Sequence, residues 1–170
     1  FAYHDGYYEG IEQEFRGFGA ADAVAVGDAA HPTAITRTWF HQGRRPTSIA
    51  TDRLAENPYE SLKGRQWLSE TFDEGGTFLS SAHATVTVRR LLTGLDGRDI
   101  AYAYVSQSDE LRYSTSFGGA GSTSLSLPFL VVEHVDDTGA LISDDTYNDD
   151  LAVRMDQYAH VRSTTPEVDN

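Results

Sequence analysis

The chain alternates short apolar runs with polar, glycine-bearing breaks, and its dominant period is two. Residues Thr85, Val86, Thr87 and Val88 are β-branched throughout, and residues 100–105 (IAYAYV) alternate large with small side chains. Both patterns predict strands: branched and aromatic side chains suit a pleated surface, and successive side chains point to opposite faces. Residues 14–18, 35–40 and 110–115 predict three more, and residues 129–135 open on four apolar positions, as a strand buried on both faces does. Helix signals are scarce. Asn57 is placed to cap a helix, Pro58 to begin it and Gly64 to end it. A helix near 58–63 is under two turns long and must dock on a sheet to persist.

Breaks between strands share a form. An Asp leads at positions 73, 96, 136 and 156, with Gly following in the first three. Asp caps a turn through its own side chain and Gly supplies positive φ, so these are hairpin turns. Their spacing is close to one, two and one multiples of a unit of about twenty residues, the length of a two-stranded repeat. The fold class predicted is therefore mainly β: antiparallel strands and hairpins in an extended curved sheet, with one short helix near 58–63. Residues 1–162 form a single β-rich module. The Gly/Ser-rich stretch at 118–124 marks a weak internal boundary, and 163–170 read as a frayed polar tail. The chain opens on strand-like sequence with no Met, and is read as a piece of a longer protein whose sheet edges seek partners. Taken alone, it is expected to be marginally stable or to oligomerise through those edges.

Composition narrows the function classes. The 170 residues suffice for a core without covalent staples, and the absence of cysteine removes disulfides, thiolate metal sites and thiol nucleophiles. The formal net charge of -13 disfavours nucleic acid and anionic membrane surfaces as partners. The longest apolar run, around 128–132, is far too short for a membrane-crossing helix.

Candidate chemistry is sparse. Tyr7, Tyr8, Phe15, Phe18, Trp39 and Phe40 could form a sugar-stacking platform, but aromatic residues in strands more often fill a core. Asp136, Asp137, Asp144, Asp145, Asp149 and Asp150 could ligate calcium, yet they lack the spacing of a calcium-binding loop and read as solvated turns. The six histidines (4, 31, 41, 83, 134 and 160) form no metal-binding pair by spacing. Glu12 and Glu14 share a strand face, within reach of a retaining-glycosidase geometry, and are more simply a wet face. The paired basic sites Arg44-Arg45 and Arg89-Arg90 read as surface charge. No nucleophile elbow or nucleotide loop is present, so no catalytic residue, cofactor or metal is assigned and the chain is read as non-catalytic.

Three blocks carry a family resemblance: YHDGYYEG at 3–10, EQEFRGFG at 12–19 and TRTWFHQG at 36–43. They resemble the middle region of the B component of bacterial insecticidal toxin complexes (Tc toxins) and the corresponding part of SpvB-like virulence proteins. LKGR at 62–65, ETFD at 70–73 and TVTVR at 85–89 are similar to the passage that follows there. From about 92 to 161 the likeness is to the hairpin spacing of Rhs/YD-repeat sheets. The chain departs from the pattern in the short stretch 44–61 between blocks. The resemblance implies a structural, non-catalytic module of a secreted B-type component, contributing to a β shell that encloses and delivers a partner's toxic domain. It implies C-type and A-type components as partners of the full-length parent, and an extracellular location. A β-sandwich that binds carbohydrate at a cell surface is the alternative. The expected core is Tyr7, Phe15, Phe18, Trp39, Phe40, Trp67, Val86, Val88, Tyr102, Tyr104, Leu130 and Val132.

Overall fold

The computed structural model describes residues 1–49, 56–113, 129–147 and 159–164. Within them lie nine strands: β1 (Ala2–Glu9), β2 (Glu14–Ala25), β3 (Ala34–Phe40), β4 (Gln66–Asp73), β5 (Phe78–Thr93), β6 (Asp99–Tyr113), β7 (Phe129–Val135), β8 (Leu141–Tyr147) and β9 (Ala159–Thr164). They form one open sheet, and β1-β2-β3-β4-β5-β6-β9 is a continuous antiparallel path. β7 lies on β5 as well, and β8 pairs with β7. The mainly β, antiparallel-rich class read from the sequence is the class observed.

One pairing departs from that pattern. β7 runs parallel to β5, from Val86↔Val132 to Arg89↔Val135. Hairpin turns force their strands antiparallel, whereas β7 follows β6 after the long interval 114–128, and a crossover of that length permits parallel entry. β4 takes the first half of β5 (Leu68↔His83 to Phe72↔Phe78) and β7 the second, so both lie on the same side of this long strand. β6 runs along its other side throughout.

Two strands expected at 100–105 and 110–115 are one. Between them residues 107–109 continue the ladder, pairing with Thr85 to His83 on β5, and Ser106 is the extra residue at a register shift. Ser114 and Thr115 lie outside the described residues, as does the boundary expected at 118–124. Ser163 and Thr164, expected in a frayed tail, pair with Asp109 and Ser108; residues 165–170 lie outside the described residues.

The helix expected near 58–63 is a 3-10 turn over Glu60–Leu62. Asn57 does accept the Tyr59 amide through its side chain, at 3.1 Å. An α-helix cannot grow from it, because the following residues pair backwards with the end of β3: the Gly64 amide donates to the His41 carbonyl, and the His41 amide to that of Arg65. Gly64 has φ of +77°, the stop that the sequence reading assigned to it.

Three hairpin turns share one geometry. In Asp73–Thr77, Gly94–Arg98 and Asp136–Ala140 the first amide donates to the fifth carbonyl, and the fourth residue, a Gly at positive φ, donates back to the first carbonyl. This is a type I turn closed by a glycine bulge. The equivalent first position in the second turn is Gly94, so its Asp96 stands two places later than Asp73 and Asp136 do in theirs. With that shift the interval from the second turn to the third is twice that from the first to the second. The fourth turn, expected at Asp156, lies outside the described residues.

The apolar core sits where the Glu60–Leu62 turn lies over β5, β6 and β7. Leu62, Val86, Val88, Ala103 and Val132 form it, with Tyr59 and Trp67 packed at its margin. Among the residues expected in the core, Val86 (0% exposed), Val88 and Val132 are buried, and Tyr7, Trp39, Phe40, Trp67 and Tyr104 are half-buried. Leu130 lies in β7, but its side chain is outside the described residues. Phe15 (53% exposed), Phe18 (40%) and Tyr102 (55%) are not core. Phe15 and Phe18 stand on the outermost hairpin, where no described element covers their face. Tyr102 stands on β6 beyond the reach of β9, which pairs only with Ser108 to Tyr113.

Candidate functional site

Arg16 of the second sequence block meets Glu12 and Glu14 of its own block, the Gly43 carbonyl of the third and Glu60 beyond them. β2 enters after a turn in which Gln13 takes φ of +56°, and Gly17 at +86° re-aims the strand just beyond. The Arg16 side chain is 0% exposed. Its Nη1 donates to the Gly43 carbonyl at 2.9 Å and meets Glu60 Oε2 at 2.6 Å; Nη2 donates to Glu12, and Nε faces Glu14 at 3.9 Å. Burial opposes this charge, but hydrogen bonds and attraction from Glu60 and Glu12 outweigh it and raise the guanidinium pKa.

The node extends outward. Lys63 donates to both Glu14 oxygens at 2.9 Å, lowering the carboxyl pKa of Glu14 and raising its own. Arg45 reaches Glu12 at 3.2 Å. Asn57 Nδ2 donates to the same Gly43 carbonyl at 2.8 Å. Gln42 spans the neighbouring irregularity. Its amide donates to the carbonyls of Asp5 (2.6 Å) and Gly17 (3.0 Å), two residues at positive φ, and its oxygen accepts from Arg44. Glu9, buried close by, accepts from the Ile11 amide and from Tyr7 Oη, and the backbone donor leads in lowering its pKa. Arg44 lies 4.7 Å from the centre of the Tyr7 ring.

Gly43 is the tightest glycine within this node. It has φ of +59°, and a Cβ there would sit 2.9 Å from the Tyr59 carbonyl oxygen and 3.1 Å from Arg16 Nη1. Gly43→Ala is expected to lower stability by about 2 kcal/mol, from the left-handed backbone and the backbone collision together. A denaturation midpoint unchanged from the parent would show that the loop relaxes freely.

A second polar assembly crosses the sheet. Arg37 holds Asp22 in a bidentate pair (2.6 and 2.7 Å), and His4 meets the same carboxylate at 3.0 Å. Arg37 leads in driving the Asp22 pKa down to about 2. The same guanidinium lies near the rings of Trp39 and Phe72 (5.9 and 5.8 Å), and cross-strand from it Glu70 is buried.

His83 is also buried on this sheet, between Leu68 on β4 and Asp109 on β6. Desolvation lowers its pKa to about 4, against the pull of Asp109. The folded state thus binds fewer protons at this ring than the unfolded state. Its contribution to stability is complete above the unfolded pKa of about 6.5 and is lost as pH falls towards 4. The chain should lose stability on acidification through that window, where Asp22, with its pKa near 2, is still ionised. His83→Gln should flatten the slope in denaturation midpoints measured from pH 7 to 4.5; an unchanged slope would assign it elsewhere.

The sequence candidates are redistributed accordingly. Glu12, Glu14 and Glu60 bring oxygens within 4.8 Å of one another, a grouping able to hold a cation, and the cations present are Arg16, Arg45 and Lys63. Arg45, expected as surface charge, has its side chain buried in the node on Glu12, whereas Arg44 is exposed as expected and donates to Gln42. Arg89 donates to the Asp137 carbonyl and Arg90 faces Asp99 at 3.8 Å. Asp136 spends one oxygen on the Thr138 hydroxyl and the Thr138 and Ala140 amides of its own turn, with the hydroxyl bond leading in lowering its pKa. Asp137 and Asp144 are exposed; the side chain of Asp145, and Asp149 and Asp150 altogether, lie outside the described residues. The histidines scatter: His31 meets Asp28, His41 and His134 lie beside Trp67 and Tyr59, and the side chain of His160 is outside the described residues.

The proposed aromatic platform divides. Tyr7, Trp39 and Phe40 are half-buried. Tyr8, paired with Phe15, is exposed. Phe15 and Phe18 join Tyr3 in an exposed cluster, with Tyr3 stacked on Phe18 at 4.9 Å and Phe15 edge-on to it at 5.4 Å.

Sequence reasoning missed Arg16, Gln42, Gly43, Asn57 and Glu60 as one unit. The available signal was an Arg and a Gln set inside otherwise aromatic and glycine-rich strand blocks.

The sheet is similar to parts of solved structures. The crystal structure of TcdB2-TccC3-TEV matches with a TM-score of 0.51 at 20% identity, over 66% of this chain and 7% of that one. The crystal structure of TcdB2-TccC3 matches with a TM-score of 0.50 at 20% identity, over 65% of this chain and 8% of that one. At this identity the likeness is one of fold, and this chain spans a small part of the length of those chains. No family model matches the chain, and no curated protein matches it.

Proposed function

We propose that this chain is a non-catalytic structural module of the B-type component of a secreted toxin complex, forming part of a β shell that encloses and delivers a partner's toxic domain. One observation carries the reading. The sequence blocks that resemble that family spend their polar chemistry on each other, at Arg16, Gln42, Gly43 and Lys63, and so fix strands rather than present reactive groups. The shared fold with TcdB2-TccC3 supports it. Glu14 is a poor general acid: Lys63 lowers its pKa, whereas a glycosidase acid needs a raised one. The partners are the C-type component and the A-type translocation component, met through the full-length parent outside the producing cell. The test is to co-express that parent with the product of the adjacent gene, purify on a tag carried by the parent alone, and image the particle by electron microscopy. A stoichiometric hollow complex is expected; a compact parent with no partner would overturn the reading.

The exposed cluster of Tyr3, Phe15 and Phe18 favours a second reading, a carbohydrate-binding face, because rings on one open face can stack on sugars. A glycan array would distinguish them. Hits lost in Phe15→Ala and Phe18→Ala with folding intact would support this reading, and an array without hits would dismiss it.

A further inference from the structure

We draw no further inference here: the strongest candidate, the cavity of about 830 Å3 between residues 46–49 and 56–61 and the face of β5 to β8, has on its wall Ile49 and Glu56, which flank residues outside the described set, so nothing in the structure shows whether it is open to a ligand.

Discussion

Arg16→Met should destabilise the chain by about 2–3 kcal/mol, less than the full cost of breaking a buried ion pair, because the carboxylates it leaves are 39–45% exposed. The substitution nearly preserves volume and apolar stem, so the loss is electrostatic rather than steric. It leaves Glu12, Glu14 and Glu60 with oxygens within 4.8 Å of one another and takes away the cation that touches all three. Lys63 remains at the rim on Glu14 and the buried Arg45 side chain remains on Glu12, but neither replaces the bond to Glu60 and the Gly43 carbonyl that Arg16 makes. Arg16→Lys should recover only part of the loss, because an ammonium cannot hold a carbonyl and two carboxylates in one fixed fork. Guanidinium denaturation reads this as a lower midpoint with little change in slope. Adding Glu12→Gln and Glu60→Gln to Arg16→Met should restore part of the stability, since the repulsion goes with the charges. A Met variant that unfolds at the parent's midpoint would show that the node does not hold the fold.

The same node explains what could and could not be read from the sequence. Strands were legible where one rule sufficed. The β-branched run Thr85 to Val88 lies within β5, and the apolar run at the head of β7 marks that strand. Gly64, Gly76, Gly97 and Gly139 stop or turn the chain at positive φ, which a sequence motif can signal because only local sterics are involved. Burial was less legible. An aromatic residue in a strand has two faces to choose from, and its exposure depends on whether another layer covers the chosen one. Phe15 and Val86 have equally strong strand preference, yet one lies on an open outer hairpin and the other under Leu62. The polar node was least legible. Arg16 and Glu60 are far apart in the chain, and nothing local distinguishes a buried, satisfied Arg from one in solvent. Parallel pairing of β7 with β5 was hidden for a related reason, since its partners Val86 and Val132 are far apart in the chain and no turn motif joins the two strands.

Leu62→Ala should cost about 3 kcal/mol, in the range for emptying a buried Leu position. Leu62 is 2% exposed and packs with Val86, Val88, Ala103 and Val132, joining the turn after Asn57 to three strands at once. That turn has a single 3-10 segment and no side-chain cap on it, so it has almost no stability of its own. Besides its backbone bonds to His41 and the Asn57 bond to Gly43, two sets of side chains anchor it: Leu62 on the sheet, and Glu60 with Lys63 in the Arg16 node. Two anchors on one short segment should not act independently. Once Leu62 is truncated, the segment is freer to shift and the node loses part of its geometry. The double variant with Arg16→Met should therefore cost less than the two single losses together, by about 1 kcal/mol, within the range for groups sharing an element. Leu95→Ala is the control, because Leu95 stands fully exposed at the tip of the β5–β6 hairpin and should change nothing measurable. Strict additivity between Leu62 and Arg16 would mean that core and node hold the sheet separately. The sequence blocks would then be adjacent in space without being coupled in energy, and the structural role proposed for them would lose its physical basis.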